Sequence, residues 1–369
     1  MQIGVIGLGT MGLGIAQVLA QAGHQVRATD TQEPARASAH DRLRAALEPR
    51  VAKGALSARE RDATLAALTV VATPEDIAPA DLVIEAVAEK IEVKQALFAQ
   101  LESVLAPGSV LATNTSSLSV SNISARMSRP ERAIGLHFFN PAPVMKLVEL
   151  IPHSGSSPRA LALARQVCES AGKVVVEAPD RPGFIVNRCA RPFYGEALAL
   201  LEEGRSPAEV EAAMLAAGYR IGPFGLIDLI GADINLAATE GLAQAMNQHP
   251  RYHVFAALRA QVADGRLGRK SGRGFLIPPP ASLPAPADAV QIALRIEATL
   301  INEAAWLLSE GGTTRDDIDT ALRLGLNFPR GPFQLLAQHG PASIRAALSE
   351  LEAKAPAHLK CRYLPAPDL

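Results

Sequence analysis

His137 and Glu149, twelve residues apart, are the residue types that make a general base. A carboxylate fixes the tautomer of an imidazole and favours the imidazolium formed when the ring takes a proton. His137 stands in Gly135-Leu-His-Phe-Phe-Asn-Pro141 and closes a strand-like run, 132–137. Residues 146–151 read as a second strand that could return Glu149 to it. Upstream, Asn114-Thr115-Ser116-Ser117 follows the apolar run 109–113. Short hydroxyl and amide side chains at the carboxyl end of a strand can hydrogen-bond a substrate oxygen, and they can equally shape a turn. A third constellation, Gly7-Leu8-Gly9-Thr10-Met11-Gly12, follows a short apolar run and opens a helix with Ile15, Val18, Leu19 and Ala22 on one face. Gly7 permits the tight turn, Gly9 lets backbone approach a pyrophosphate, and Gly12 lets helix pack against strand. The first helical turn, with Thr10 and Met11, offers N–H donors and a positive dipole end to phosphates. Asp30 comes 18 residues after Gly12, where a second strand ends. That context points to a dinucleotide, and a carboxylate there repels a 2′-phosphate, so NAD is expected rather than NADP.

These residues need a scaffold. Apolar runs at 2–7, 25–30, 81–85, 109–113, 132–137, 146–151 and 173–176 alternate with helical patterns at 35–53, 58–68, 90–105 and 158–171. A further short apolar run falls at 70–72. Such alternation predicts a parallel sheet covered by helices. After Asp180-Arg181-Pro182-Gly183 the texture becomes helical, and residues 278–287 hold five prolines, as a stiff exposed linker would. The helical part repeats itself. Glu196-Ala-Leu-Ala-Leu-Leu-Glu-Glu-Gly204 resembles Glu303-Ala-Ala-Trp-Leu-Leu-Ser-Glu-Gly311, and Gly222-Pro-Phe224 matches Gly331-Pro-Phe333. The expected division is 1–181 for nucleotide binding, 182–277 for a first helical copy, 278–290 for the linker and 291–369 for a second copy.

Composition narrows the classes. A chain of 369 residues suggests two or three domains. Lys+Arg 36 against Asp+Glu 37 excludes a polybasic nucleic-acid binder. With 48% hydrophobic residues the chain can build cores, and no apolar run has the length of a membrane span. Cys168, Cys189 and Cys361 match neither a disulfide framework nor a paired metal motif, which fits the cytoplasm, and no metal is expected. With strand-like sequence from Gln2 and a glycine loop directly after it, no signal peptide is expected.

Read together, these motifs resemble the L-3-hydroxyacyl-CoA dehydrogenases. The resemblance also runs through Asp81-Leu-Val-Ile-Glu-Ala86, Val144-Met-Lys-Leu-Val-Glu149, Pro182-Gly-Phe-Ile-Val-Asn-Arg188 and Lys270-Ser-Gly-Arg-Gly-Phe275. It implies an α/β Rossmann-type nucleotide-binding domain followed by two all-α helical domains in tandem duplication. It implies NAD as cofactor and an acyl-CoA as substrate, with His137 as base, Glu149 as its partner, and Ser116 and Asn187 on the reacting substrate oxygens. It places Glu89, Lys94, Asn140 and Lys270 around NAD. No upstream hydratase domain is expected. The second copy's Leu324-Gly-Leu-Asn-Phe-Pro-Arg-Gly-Pro332 is similar to bacterial 3-hydroxyadipyl-CoA dehydrogenases of phenylacetate breakdown. Single-copy relatives dimerise through this helical module, so the tandem copies imply an intramolecular pseudo-dimer through an apolar face, compatible with further homo-oligomerisation. Arg220, Arg269 and Arg330 are candidates to meet an acidic acyl tail or the CoA phosphates. Two other readings share the same residues: a dehydrogenase of a free sugar acid such as L-gulonate, and a dinucleotide-binding protein without catalysis.

Overall fold

The computed structural model describes residues 1–280, 284–367 and 369. Residues 281–283 of the expected linker, and Asp368 in the second helical segment, lie outside the described residues. The chain forms two compact units, Met1–Arg181 and Pro182–Leu369.

The first unit is an eight-stranded sheet. Its strands are β1 (Gln2–Ile6), β2 (Gln25–Thr29), β3 (Leu68–Val70), β4 (Leu82–Glu85), β5 (Val110–Thr113), β6 (Ala133–Phe138), β7 (Leu147–Ile151) and β8 (Val174–Glu177), in the order β3-β2-β1-β4-β5-β6-β7-β8. β4, β5, β6 and β7 are buried on both faces, which is why they read as continuous apolar runs. The order reverses between β1 and β4, so a crevice opens at the carboxyl ends of these two strands. Register aligns Ile6 with Glu85, Glu85 with Thr113 and Thr113 with Gly135, so β1, β4, β5 and β6 all end on one edge.

The expectation of a wholly parallel sheet needs correction. β7 runs antiparallel to β6, because residues 139–146 are too few for a helical crossover. The helical pattern at 35–53 resolves into two helices, Glu33–Ala37 and Ala39–Ala52, that meet at Ser38.

The second unit is helical. Its two longest helices, Val186–Glu202 and Ala289–Ser309, pack together and carry a reciprocal set of ion pairs. Arg188 pairs with Glu303 and Glu310, both at 2.7 Å. Arg295 pairs with Glu196 at 2.7 Å and with Glu203 at 2.6 Å. Arg251 and Tyr252 also reach Glu303, at 2.9 and 2.6 Å. Arg362 and Tyr363 reach Glu196, both at 3.1 Å. Arg188, Glu196 and Glu303 are fully buried. The face expected to be apolar is therefore mixed: Phe193 packs on Phe328 with ring centroids 4.7 Å apart, beside these charges.

Candidate active site

The glycine loop starts where β1 ends. Gly7 has φ +98, and a Cβ there would lie 2.4 Å from the Ala86 carbonyl oxygen. A Cβ on Gly12 would lie 1.8 Å from the Gly7 oxygen, so only glycine lets the Thr10–Gln21 helix start so close to the strand. Gly9 is the N-cap of this helix, no side chain caps it, and nothing lies within 4 Å of where its Cβ would be. The first-turn amides of Thr10, Met11 and Gly12 thus face an open cradle at the carboxyl end of β1. Asp30, just past β2, accepts the Leu8 N–H at 2.6 Å and the Gln32 N–H at 2.8 Å. Its carboxylate therefore ties the loop to the second strand. The donor set fits a dinucleotide: open amides for a pyrophosphate and a carboxylate for ribose hydroxyls.

The base pair is set by strand register. His137 lies directly opposite Glu149 across β6 and β7. His137 Nδ1 stands 2.6 Å from Glu149 Oε2; Glu149 is fully buried and His137 nearly so. Donation from Nδ1–H to the carboxylate leaves Nε2, on the far side of the ring, as the basic nitrogen. The Phe139 ring packs 4.4 Å from the imidazole, and Asn114 Oδ1 accepts the Phe138 N–H at 2.8 Å, which fixes the end of β6.

Ser116 is exposed on the loop after β5, and a charge chain, exposed at Glu89 and buried at Lys94 and Glu85, holds that loop. Glu89 accepts from Thr115 Oγ1 at 2.6 Å and from the Ser116 N–H at 2.9 Å. Lys94 donates to Glu89 at 3.2 Å and to Glu85 at 2.6 Å. Glu85 also accepts from Thr113 Oγ1 and the Val87 N–H, both at 2.7 Å. Burial works against the Glu89 charge, but Lys94 and the bonds from Thr115 and Ser116 outweigh it and hold this carboxyl below its ordinary value. Lys94 is only 1% exposed, and its ammonium is engaged by Glu85 and Glu89. Asn140 is exposed, beyond the end of β6.

Asn187 and Lys270 belong to the second unit. Asn187 is in the first turn of the Val186–Glu202 helix. Lys270 Nζ lies 2.5 Å from Asp233. Sequence reasoning missed the roles of Glu85 and Asn114. An acid closing the apolar run Leu82-Val-Ile-Glu85 was the available signal for the first.

Comparison with known proteins agrees with this geometry. Residues 2–181 match the family described as 3-hydroxyacyl-CoA dehydrogenase, NAD binding domain. Residues 183–277 and 292–367 match the description 3-hydroxyacyl-CoA dehydrogenase, C-terminal domain. The chain is 37% identical to a 3-hydroxyadipyl-CoA dehydrogenase of Escherichia coli (strain K12), over 95% of this chain and 93% of that one. A crystal structure of 3-hydroxybutyryl-CoA dehydrogenase from Escherichia coli K12 superposes with a TM-score of 0.92 at 34% identity, covering 100% of this chain and 97% of the other. The (S)-3-hydroxybutyryl-CoA dehydrogenase from Ralstonia eutropha gives a TM-score of 0.71 at 36% identity, covering 74% of this chain and 98% of its own. A nucleotide cradle at the sheet's reversal point and family matches along nearly the whole length lead to one conclusion: the chain is an NAD-dependent member of the 3-hydroxyacyl-CoA dehydrogenase family.

Proposed function

We propose that this enzyme oxidises an L-3-hydroxyacyl-CoA to the 3-ketoacyl-CoA, reversibly, with His137 and Glu149 as a general-base pair. NAD, when bound, supplies the hydride acceptor for C3. His137 Nε2 takes the hydroxyl proton, and Glu149 stabilises the imidazolium that results. The Ser116 hydroxyl, on its exposed loop, and the Asn187 amide orient the substrate oxygens. Gly7, Gly9, Thr10, Met11 and Gly12 would carry the pyrophosphate and Asp30 the adenine ribose, with Glu89, Asn140 and Lys270 bordering the cofactor. The observation that carries this reading is the 2.6 Å contact of His137 and Glu149 at the sheet edge where the glycine loop also lies. NADH oxidation with acetoacetyl-CoA tests it. Turnover supports the reading; turnover of L-gulonate with NAD and of no acyl-CoA would replace it with the sugar-acid alternative. Binding of NAD with no turnover of either would favour the non-catalytic one.

The helical unit is proposed to be a tandem duplication, 182–277 and 291–369 joined by 278–290, packed as an intramolecular pseudo-dimer and following the nucleotide domain 1–181 in the chain. Arg188, Glu196 and Glu203 correspond at one constant spacing to Arg295, Glu303 and Glu310. Each arginine reaches the other copy's two glutamates, which is the signature of a two-fold, self-complementary interface. The two separate matches to the C-terminal domain support the same division. Among the described residues no helix is long and apolar enough to cross a membrane. The cytoplasmic setting is proposed from the sequence, whose three cysteines, Cys168, Cys189 and Cys361, are few and widely spaced.

A further inference from the structure

Arg191 is a buried cation without a counter-charge. It is 7% exposed and lies one turn after Asn187 on the Val186–Glu202 helix. Its Nε donates to the Asn187 carbonyl at 3.1 Å. Its Nη1 donates to the Asn235 carbonyl at 3.3 Å and to Thr239 Oγ1 at 3.1 Å. All three acceptors are neutral, and no carboxylate pairs with Arg191 among the described residues. Its neighbours in the same unit, Arg188, Arg251, Arg295 and Arg362, each have a glutamate. Burial alone pulls the Arg191 guanidinium below its ordinary value.

The surroundings are also unsatisfied. Tyr194 lies with its ring centroid 4.9 Å from the guanidinium carbon, and its Oη is buried without a hydrogen-bond partner among the described residues. Both amide atoms of Asn235 are buried without partners among the described residues, in a residue only 2% exposed. An unpaired buried charge beside orphaned polar groups costs stability, and natural proteins tolerate this where a ligand completes the set. The orphaned donors, the Asn235 Nδ2 amide and the Tyr194 hydroxyl, together with the Arg191 guanidinium, call for a group that accepts hydrogen bonds. A carboxylate, with about four lone-pair sites on two oxygens, does this.

We propose that Arg191, with Asn235 and Tyr194, binds the terminal carboxylate of a dicarboxylic 3-hydroxyacyl-CoA and selects it over an uncharged chain of equal length. The inference rests on the function proposed above, in which Asn187 orients the reacting end. One helical turn, about 5.4 Å, separates Asn187 from Arg191, and a six-carbon diacid carries its second carboxyl three carbons beyond C3. None of the three arginines singled out by sequence has this combination of burial and unpaired charge: Arg220, Arg269 and Arg330 are all exposed.

The test compares 3-hydroxyadipyl-CoA with 3-hydroxyhexanoyl-CoA, which differ only in the terminal carboxyl. The wild-type enzyme should favour the diacid in kcat/KM. Arg191→Met should reduce that preference about 10- to 100-fold, chiefly through KM, as loss of a hydrogen bond to a charged group does. Arg191→Lys should retain part of it. Arg191→Met should also melt no lower than wild type, whereas a merely structural brace would lower Tm. Asn235→Asp gives an independent reading, since it supplies the missing counter-charge: it should raise Tm and abolish the diacid preference. A wild-type enzyme indifferent to the carboxyl, or an Arg191→Met preference equal to wild type, would overturn the proposal. Wild-type enzyme that turns over neither thioester would overturn the proposed function itself, a distinct result.

Discussion

His137 and Glu149 meet because two antiparallel strands place them opposite one another, and a spacing of twelve residues is enough to bridge a short return. That pair, the glycine loop and Asp30 were legible in sequence because each depends on local order: strand, turn, strand. Arg191, Glu85 and Asn114 were not, because their surroundings come from distant segments. Arg191 reaches Asn235 and Thr239, and Asn114 reaches the Phe138 N–H. At this scale the structure refines Asp30. Its carboxylate holds the loop through Leu8 and Gln32 in addition to the ribose contact proposed for it, so removing it entirely would disturb both. Asp30→Asn keeps an acceptor and removes the charge. The variant is expected to bind NADH several-fold more weakly and to narrow the NADH over NADPH ratio in kcat/KM. Equal use of NADPH and NADH by the wild-type enzyme would contradict the role given to this charge.

At the scale of elements, the carboxyl ends of β4 and β5 are held by the Glu85–Lys94–Glu89 chain, and through it the Ser116 loop. The apolar strands were readable from composition, whereas the direction of β7 depended on the length of its connection. Glu89 offers a test through pH. Its carboxyl sits below the ordinary glutamate value of 4.5 in the folded protein, so the unfolded chain takes up the proton first as pH falls. The contribution of Glu89 is therefore full above that value and lost as pH drops through its lowered one. Melting of wild type and Glu89→Gln across pH should show wild type more stable at pH 7, with the gap closing below about pH 4.5. A gap that stays constant down to pH 3 would remove Glu89 as the charge that holds this loop.

For the molecule as a whole, the repeat was legible because Glu196 and Glu303 stand in similar nine-residue stretches. The charged character of the face between the two long helices was not, since each of these acids finds its arginine on the other helix. Arg295→Ala is expected to lower stability by about 3 kcal/mol, because Glu196 is left buried with fewer partners, while kcat stays near wild type. Chemical denaturation with parallel kinetics checks both. A chain cut after Pro279 would strip Arg188 and Glu196 of their partners and uncover Phe193. It is expected to associate, with Arg188 of one molecule meeting Glu196 of another, as the internal correspondence dictates. Light scattering that finds 1–279 monomeric and as heat-stable as the full chain would contradict the pseudo-dimer.

The central claim is that His137, oriented by Glu149, takes the hydroxyl proton. The most direct measurement is NADH formation from an L-3-hydroxyacyl-CoA by wild type, His137→Gln, Glu149→Gln and the double variant, with NAD affinity measured in parallel. The expected result is a fall in kcat of about 10²- to 10⁴-fold for His137→Gln with NAD affinity kept. The double variant should be scarcely slower than His137→Gln, since the two residues act as one unit. A loss below about tenfold for His137→Gln, or fully additive losses, would contradict it.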